Sequence, residues 1–298
     1  MMKKALHPFV IEEALNNFKC LGFGNPPALL ERGPFVLTPK YAGEKIAVVA
    51  VDALRCSSTI LTLLARGALG VTTFSKFDDA GVTEVDAERA AKTLGATIAL
   101  AGELHGHPLP GGIVGNSPVE ASYTNVDDLM IRFSSTNFGQ LLSTLLPLAD
   151  QFEAAGGKAT VFVASFANAK AVAEAIKAEN YSRVALAAGG FYSVGTIEDL
   201  ACCGSIIEAM GIHIDSCDDE AVGMVSVSRL LQDPVERLAA CERTLIGRSL
   251  VRFGRGIDIA AAVTGEGVEP ETRQRMRNLI ATVQKVAGVP VIMSTSVD

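Results

Sequence analysis

The chain contains no tryptophan and only four histidines, and aromatic residues make up 6% of its 298 positions. It also has no block of consecutive basic residues, and its formal net charge is -7. A nucleic-acid-binding domain normally presents a basic face, so this charge balance argues against nucleic acid as a partner. No apolar run approaches the length of a membrane span, and we therefore predict no transmembrane helix and no membrane partner.

The first 18 residues lack the apolar core of a signal peptide and soon carry Glu12 and Glu13, so we expect a cytoplasmic protein. The six cysteines form no Cys-x-x-Cys pair, which argues against a zinc site built on thiolates. In a cytoplasmic chain we expect these cysteines to be reduced. A phosphocysteine enzyme would need an arginine at the sixth position after its cysteine, but the sixth residue after Cys56 is Thr62, which disfavours that chemistry.

The motifs of several common phosphate and nucleotide enzymes are also missing. There is no Walker-type phosphate loop, no dinucleotide-binding fingerprint after the first strand and no Gly-x-Ser-x-Gly elbow. Leu54, rather than an aspartate, follows Asp52 by two positions, which disfavours an aspartyl-phosphate enzyme of the haloacid-dehalogenase type. Any site for a phosphate group must therefore be built from other residues.

What the sequence does have is an alternation of short apolar segments with helical patterns. Hydrophobic residues make up 49% of the chain and charged residues 20%, which allows a sizeable core. Several segments are apolar throughout, as expected for strands that are covered on both faces. We predict a three-layer α/β/α fold with a largely parallel or mixed sheet, in a single domain over residues 1–298. Loosely recurring strand–loop–helix units leave two pseudo-equivalent halves, 1–150 and 151–298, as an alternative.

The predicted strands are short apolar segments. They comprise residues 35–38, 46–52, 70–74, 97–101, 129–133, 159–164 and 184–189. The predicted helices share a helical spacing of apolar residues and are residues 58–68, 85–93, 138–149, 167–179, 197–210, 225–248, with an interruption at Pro234, and 270–286. Residues 102–125 are rich in glycine and proline, which predicts a long loop of functional importance.

The segment VAVDALRCSST (49–59) is the most informative part of the chain. Asp52 ends an apolar strand, Arg55 follows, and Ser57 and Ser58 open a helical stretch. Ligands bind at the carboxyl ends of strands in open α/β sheets, and a helix N-terminus attracts anions. The segment predicts a site for an anionic substrate with a divalent cation on the carboxylate. The alternative is an ordinary strand–turn–helix junction in which Ser57 or Ser58 is the N-cap.

Other segments also place polar side chains after a predicted strand or in the long loop: Glu103, Asn116 and Ser117, Thr136 and Asn137, and Glu198 and Asp199. Their recurrence at one predicted edge of the sheet favours a common site. The alternatives are an N-cap role for Ser135 or Thr136, and a dipole role for Glu198 and Asp199, since acidic residues in a first helical turn contribute roughly 0.3–1 kcal/mol.

Taken in this order, the segments resemble the 2-phosphosulfolactate phosphatase family, the magnesium-dependent acid phosphatases of coenzyme M synthesis. The matching pieces are VDALRCSSTI (51–60), GE (102–103), GNSPVE (115–120), STN (135–137), NAKAVAEAI (168–176), GTIEDLACCGSII (195–207) and, more weakly, GRGIDIA (254–260). Two segments depart from the family pattern. Leu104 stands where an arginine is common, and Phe138-Gly139 stands where Gly-Thr is usual, so that a bulky Phe138 would narrow the pocket.

The resemblance implies a metal-dependent phosphomonoesterase that hydrolyses a small anionic 2-phospho-hydroxy acid, similar to 2-phosphosulfolactate, to the hydroxy acid and phosphate. It implies catalytic roles for Asp52, Arg55 and Glu103. It implies substrate binding by Arg55, Ser57, Ser58, Asn116, Ser117, Thr136 and Asn137. It implies Mg²⁺ held by Asp52, Glu103, Glu198 and Asp199.

The departures from the family pattern leave two other functions open. One is a diverged, non-catalytic protein that binds a small anion, and the other is an enzyme that acts on a related phosphonate or acid. The apolar content and the helices that flank the predicted sheet also favour a homo-oligomer.

Overall fold

The computed structural model describes residues 18–75, 81–104, 106–191 and 194–295. These residues form a mixed α/β fold around a ten-stranded sheet, which confirms the predicted fold class. In this part of the chain no helix is both long enough and apolar enough to cross a bilayer.

The strands are β1 (Cys20–Phe23), β2 (Lys45–Val51), β3 (Gly70–Phe74), β4 (Thr97–Leu104), β5 (His107–Pro108), β6 (Leu129–Ser134), β7 (Lys158–Ala164), β8 (Arg183–Ala188), β9 (Ile280–Val286) and β10 (Val289–Thr295). The helices are α1 (Pro26–Val36), α2 (Cys56–Ala65), α3 (Glu84–Leu94), α4 (Pro118–Tyr123), α5 (Thr136–Ala154), α6 (Ala169–Ala178), α7 (Ile197–Met210), α8 (Asp219–Leu230), α9 (Pro234–Arg243), α10 (Leu245–Arg252), α11 (Gly256–Thr264) and α12 (Pro270–Asn278).

The strand order is β1-β8-β2-β7-β9-β10-β3-β6-β4-β5. Strands β1, β8, β2 and β7 form one parallel block, and β3, β6 and β4 form a second. The pairings of β7 with β9, β9 with β10 and β10 with β3 are antiparallel, so the two blocks run in opposite directions. Strand β2 pairs with both β7 and β8, so the two halves of the chain, 1–150 and 151–298, share one sheet.

Helices cover both faces of this sheet, as alternate residues of β2 illustrate. Ile46, Val48 and Ala50 pack into an apolar cluster that includes residues of α1, α2 and α5. The intervening residues of β2 pack into a second cluster with residues of α6, α7 and α8. Because both faces of β2 are buried, its sequence is apolar throughout, and the observed layers are helix, sheet and helix.

Most predicted elements lie within a few residues of their observed bounds, but the strand predicted at 35–38 is wrong. The helix α1 extends to Val36 instead. It begins where the Asn25 side chain accepts a hydrogen bond from the Ala28 N–H and a proline occupies the first turn. Both features are strong signals for a helix start, and they outweigh the β propensity of the short apolar segment at its end.

The helix predicted over 270–286 is also wrong in its second half. Helix α12 ends at Asn278, and Ile280–Val286 is a strand that forms a hairpin with Val289–Thr295. Ala287 and Gly288 form the two-residue turn, and both have positive φ, at 49° and 79°. Such turns match the twist of a hairpin. The helical region predicted at 225–248 is interrupted at Pro234 as expected, where α9 begins.

Gly102 shapes β4 immediately before Glu103. Its φ is +96°, and a Cβ atom there would lie 2.2 Å from the backbone oxygen of Ser134 in β6. A side chain at this position therefore meets backbone that has little freedom to move. The glycine permits the close approach of β4 to β6 that positions Glu103.

We predict that Gly102→Ala lowers the free energy of unfolding by about 2–4 kcal/mol, because backbone strain adds to a steric clash. Gly95→Ala is the matched control, since Gly95 has φ +66° with no atom within 4 Å of the added Cβ. It should cost only about 1 kcal/mol. Chemical denaturation of the purified variants measures both values, and equal losses would contradict the proposed clash.

Candidate active site

The turn between β2 and α2 is organised by hydrogen bonds of its own residues. The Asp52 N–H donates to Ser57 Oγ at 2.7 Å, and the Ser57 N–H donates to the Asp52 carbonyl at 2.9 Å. The Ser58 hydroxyl donates to the Ala53 carbonyl at 3.2 Å. The helix begins at Cys56 with Arg55 as its N-cap, so the predicted N-cap role of Ser57 or Ser58 is wrong. The two serines hold the turn that presents Asp52 and Arg55.

Three acidic side chains meet beside this turn, and we call Asp52, Glu198 and Asp199 the carboxylate cluster. All three are buried, at 5%, 1% and 3% relative exposure. The two oxygens of Asp199 accept hydrogen bonds from the N–H groups of Ala53, at 2.7 Å, and Gly190, at 2.9 Å. Asp52 Oδ1 accepts a weaker bond from the Cys56 N–H at 3.3 Å. Backbone donors thus fix Asp199 more firmly than Asp52.

Burial and mutual repulsion change the acidity of the cluster. Burial, followed by the charge of Asp199, raises the pKa of Asp52 to about 8. The same two causes raise the pKa of Glu198 to about 8, although the nearby hydroxyls of Thr196 and Thr244 offset part of the rise. Burial also raises the pKa of Asp199, but its two backbone donors limit the value to about 6. The cluster therefore resists carrying its full negative charge at neutral pH.

Glu198 is the most exceptional member of the cluster. Both of its carboxylate oxygens are buried, and neither forms a hydrogen bond of normal geometry in the described part of the chain, although the hydroxyls of Thr196 and Thr244 lie close enough to lower its pKa. Buried polar atoms are normally paired, and an orphaned carboxylate is costly unless a cation or ligand compensates for it. The first-turn position of Glu198 in α7 explains its presence in the helix but not its lack of a partner.

Glu103 lies on the other side of Arg55 and joins two arginines, which we call the arginine pair, Arg55 and Arg255. Its Oε2 is 2.8 Å from Arg55 Nη2, and its Oε1 is 2.8 Å from Arg255 Nη1. The Asn116 N–H also donates to Oε1 at 3.1 Å. Glu103 therefore meets guanidinium groups on both oxygens, which leaves it less available as a metal ligand than the carboxylate cluster.

Asp258 completes the environment of Arg55. Its Oδ2 lies 2.7 Å from Arg55 Nη1, and its Oδ1 accepts a hydrogen bond of 2.5 Å from the Ser117 hydroxyl. Sequence reasoning missed Asp258 and Arg255 as site residues. Both lie in the GRGIDIA segment, whose weak family resemblance was the available signal. The side chains come from α11 and the turn before it, some 200 positions after Arg55.

Thr136 and Asn137 lie at the start of α5, and both are half-buried. Within the described residues, neither side chain forms a hydrogen bond to Asp52, Arg55 or Glu103. Their neighbour Ser135 hydrogen-bonds the Cys56 thiol, which links this helix to the Asp52 turn. Burial, followed by the charge of Asp52, raises the pKa of Cys56 well above its usual value, so this residue stays a thiol.

The departures from the family pattern directly follow site residues, Leu104 after Glu103 and Phe138 after Asn137. Phe138 is fully buried in the apolar cluster that contains β2 and α2, so it packs in the core and the expectation that it narrows the pocket is wrong. Leu104 is half-buried at the end of β4, where it pairs with His107 in β5. The observed positions therefore remove the steric reason for doubting a functional site.

The two parts of the site converge although β2 and β4 belong to oppositely directed blocks. Six steps across the sheet separate β2 from β4. The expectation that the polar segments share one edge of the sheet is wrong in this respect. The Asp52 turn and Glu103 are nevertheless joined directly, because Arg55 Nη2 lies 2.8 Å from Glu103 Oε2.

The last helices of the chain cover this region. Leu54, inside the turn, packs in a small apolar cluster with Cys241 of α9, Leu250 of α10 and Ile259 of α11. Thr244 lies at the start of α10, close enough to influence Glu198, and Arg255 follows its end. Helix α10 therefore spans the distance between the carboxylate cluster and the arginine pair.

Comparison with known proteins gives a consistent result. The sequence model of the family described as 2-phosphosulpholactate phosphatase matches residues 36–268, a range that includes every site residue named above. A probable 2-phosphosulfolactate phosphatase of Gloeobacter violaceus is 28% identical over 233 residues, which cover 78% of this chain and 89% of the relative. Another from Synechococcus sp. (strain JA-2-3B'a(2-13)) is 28% identical over 207 residues, or 69% of this chain and 78% of the relative.

The raised pKa values predict how pH affects stability in the absence of divalent cations. In the folded protein Asp52 and Glu198 keep protons up to about pH 8, whereas the unfolded chain releases them near pH 4. Stability is therefore greatest at the acid end of this interval and falls as the pH rises through it. We predict that Glu198→Gln stabilises the metal-free protein by about 2–4 kcal/mol at pH 8, with a smaller gain at pH 5.

Thermal and denaturant unfolding at both pH values, with a chelator present, measure this difference. Glu236→Gln is the control, because Glu236 is an exposed first-turn residue of α9 and should show no such gain. A Glu198→Gln protein that is less stable than the parent at pH 8 would contradict the description of Glu198 as a buried, uncompensated charge.

Proposed function

This chain belongs to the 2-phosphosulfolactate phosphatase family, and we propose that it hydrolyses 2-phosphosulfolactate, or a closely similar 2-phospho-hydroxy acid, to the hydroxy acid and phosphate with the help of a divalent cation. The observation that carries the proposal is that negative and positive side chains meet at the Asp52 turn. The buried carboxylate cluster lies on one side of the turn, and the arginine pair, which includes Arg55 of the turn itself, lies on the other. A phosphorylated hydroxy acid offers groups that match both.

The residues of the carboxylate cluster fit a Mg²⁺ ion. In the described part of the chain no group of three or more acidic, histidine or cysteine side chains is arranged so that it could hold a metal ion. Mg²⁺ commonly needs no such group, since it is held by one or two carboxylates together with water and substrate phosphate. The orphaned oxygens of Glu198 and the Oδ2 atom of Asp52 are the groups that would hold it. Because the pKa values of Asp52 and Glu198 are raised, a bound cation would stabilise their ionised forms.

A bound Mg²⁺ would neutralise phosphate charge and polarise the phosphorus–oxygen bond. Asp199 is the member of the cluster suited to proton transfer, because its pKa of about 6 leaves it ionised at neutral pH. Its Oδ accepts a proton from the attacking water, and that proton passes to the oxygen of the departing hydroxy acid. One water is consumed, the P–O bond breaks, and the hydroxy acid and phosphate are released.

The remaining residues position the substrate. Glu103 and Asp258 hold the guanidinium of Arg55, so its positive charge stays near Asp52 without forming an ion pair with it. Ser117 orients Asp258 through its hydroxyl. Thr136 and Asn137, whose side chains are half-buried at the start of α5, supply neutral donors for oxygens of the substrate.

The direct test is phosphate release from 2-phosphosulfolactate with Mg²⁺ and with a chelator. We expect release that requires the cation, and a fall of about 100-fold or more in kcat for Asp52→Asn, because the variant loses a carboxylate that holds the ion. Asp219→Asn changes an exposed aspartate at the start of α8 and should retain the parent activity.

A folded, Mg²⁺-supplied protein that releases no phosphate would reject this substrate. Phosphonates and unphosphorylated acids assayed in parallel would then distinguish an enzyme with another substrate from a protein that only binds small anions. Release that is unchanged by the chelator would contradict the role of the cation.

A further inference from the structure

We propose that Arg255 is the residue that recognises the second anionic group of the substrate, a carboxylate or a sulfonate, and so sets the preference for polyanionic phosphate esters. This inference rests on the proposed function and adds a residue that neither the Asp52 turn nor the loop segments contain. It follows from a difference in how the two arginines are engaged.

Arg55 is less accessible to a ligand than Arg255. One terminal nitrogen lies 2.7 Å from Asp258 and the other 2.8 Å from Glu103, and its side chain is only 6% exposed. Two of its five N–H donors are therefore engaged by buried carboxylates, and its burial leaves little room for a substrate anion. The contacts of Arg55 therefore suit a residue that sets the local charge and links the two parts of the site.

Arg255 differs in each of these respects. Its Nη1 contacts Glu103 at 2.8 Å, and its side chain is 23% exposed. The Glu103 contact engages one terminal nitrogen and leaves Nε and Nη2 without a protein partner among the described residues. A guanidinium edge held in this way is suited to bidentate binding of a carboxylate or sulfonate.

Gly115 lies beside the contact between Arg255 and Glu103. A Cβ atom at that position would be 3.3 Å from Glu103 Oε1 and 3.7 Å from Arg255 Nη1, so a side chain there would crowd this ion pair.

Direct contacts connect Arg255 to the Asp52 turn. Asp52 and Arg55 are three residues apart, so their Cα atoms are separated by at most about 11 Å. Glu103 then connects Arg55 directly to Arg255. Arg255 therefore belongs to the same group of charged side chains as the turn that presents Asp52.

The test combines binding and turnover. Calorimetry measures the affinity of 3-sulfolactate, which carries both anionic groups but no phosphate, for the parent protein and for Arg255→Gln. We expect a 10–100-fold weaker affinity in the variant, in keeping with the loss of charge-assisted hydrogen bonds. We also expect the ratio of kcat/KM for 2-phosphosulfolactate to that for p-nitrophenyl phosphate to fall by a similar factor.

Two further variants separate recognition from simpler effects. Arg252→Gln removes an exposed positive charge three residues away and should leave both the affinity and the ratio at parent values. Arg255→Lys keeps the charge but loses the planar fork, so it should recover only part of the affinity. Comparison with 2-phospholactate, which lacks the sulfonate, identifies the recognised group. A ratio that still falls for this ester identifies the carboxylate, and a ratio that does not fall identifies the sulfonate.

Each result is decisive. Absence of 3-sulfolactate binding by the parent, or equal binding by Arg255→Gln, overturns the proposal. An equal loss of turnover on both phosphate esters, with the ratio unchanged, also overturns it, because that result describes a structural role through Glu103. Binding that depends on Arg255 in a protein without phosphatase activity would support this inference while rejecting the proposed function.

Discussion

The burial of three neighbouring carboxylates is the constraint on which the rest of the site depends. Asp52, Glu198 and Asp199 are brought together by the end of β2 and the first turn of α7. Burial makes the ionisation of all three unfavourable, and the charge of Asp199 adds to this effect for Asp52 and Glu198. Only Asp199 is well supplied with backbone donors. On the other side of the same turn, the arginine pair is balanced by Glu103 and Asp258. The negative charge that lacks hydrogen-bond donors therefore lies on the side of the turn where a cation fits, at the carboxylate cluster.

Much of the fold was predictable because its core strands are short and uniformly apolar. The strand at Gly70–Phe74 and the helix at Ile197–Met210 have the predicted bounds. The errors arose where local signals competed. At residues 35–38 an apolar segment suggested a strand, but a well-capped helix extends into it. After Asn278 the chain forms a hairpin that lies between the two parallel blocks, and no local pattern indicates that long-range placement.

The site was predictable from motifs but its geometry was not. Asp52, Arg55, Glu103, Glu198 and Asp199 do converge, yet the sequence could not assign Glu103 to two arginines. That pairing depends on Arg255, which is 152 positions away along the chain from Glu103. Asp258 was missed for the same reason. Phe138 was expected to narrow the pocket, whereas it is part of the core. Spacing along the chain identifies polar residues near strand ends, but partners and burial follow from tertiary packing.

The central claim is that the carboxylate cluster is a cation site, and anomalous diffraction from crystals soaked in Mn²⁺ tests it most directly. The account predicts one Mn²⁺ ion with oxygens of Asp52 and Glu198 at about 2.1 Å, the distance typical of small hard cations, and no ion at Glu103. A cation found only at Glu103, or an active crystal with no ion near Glu198, would contradict the account.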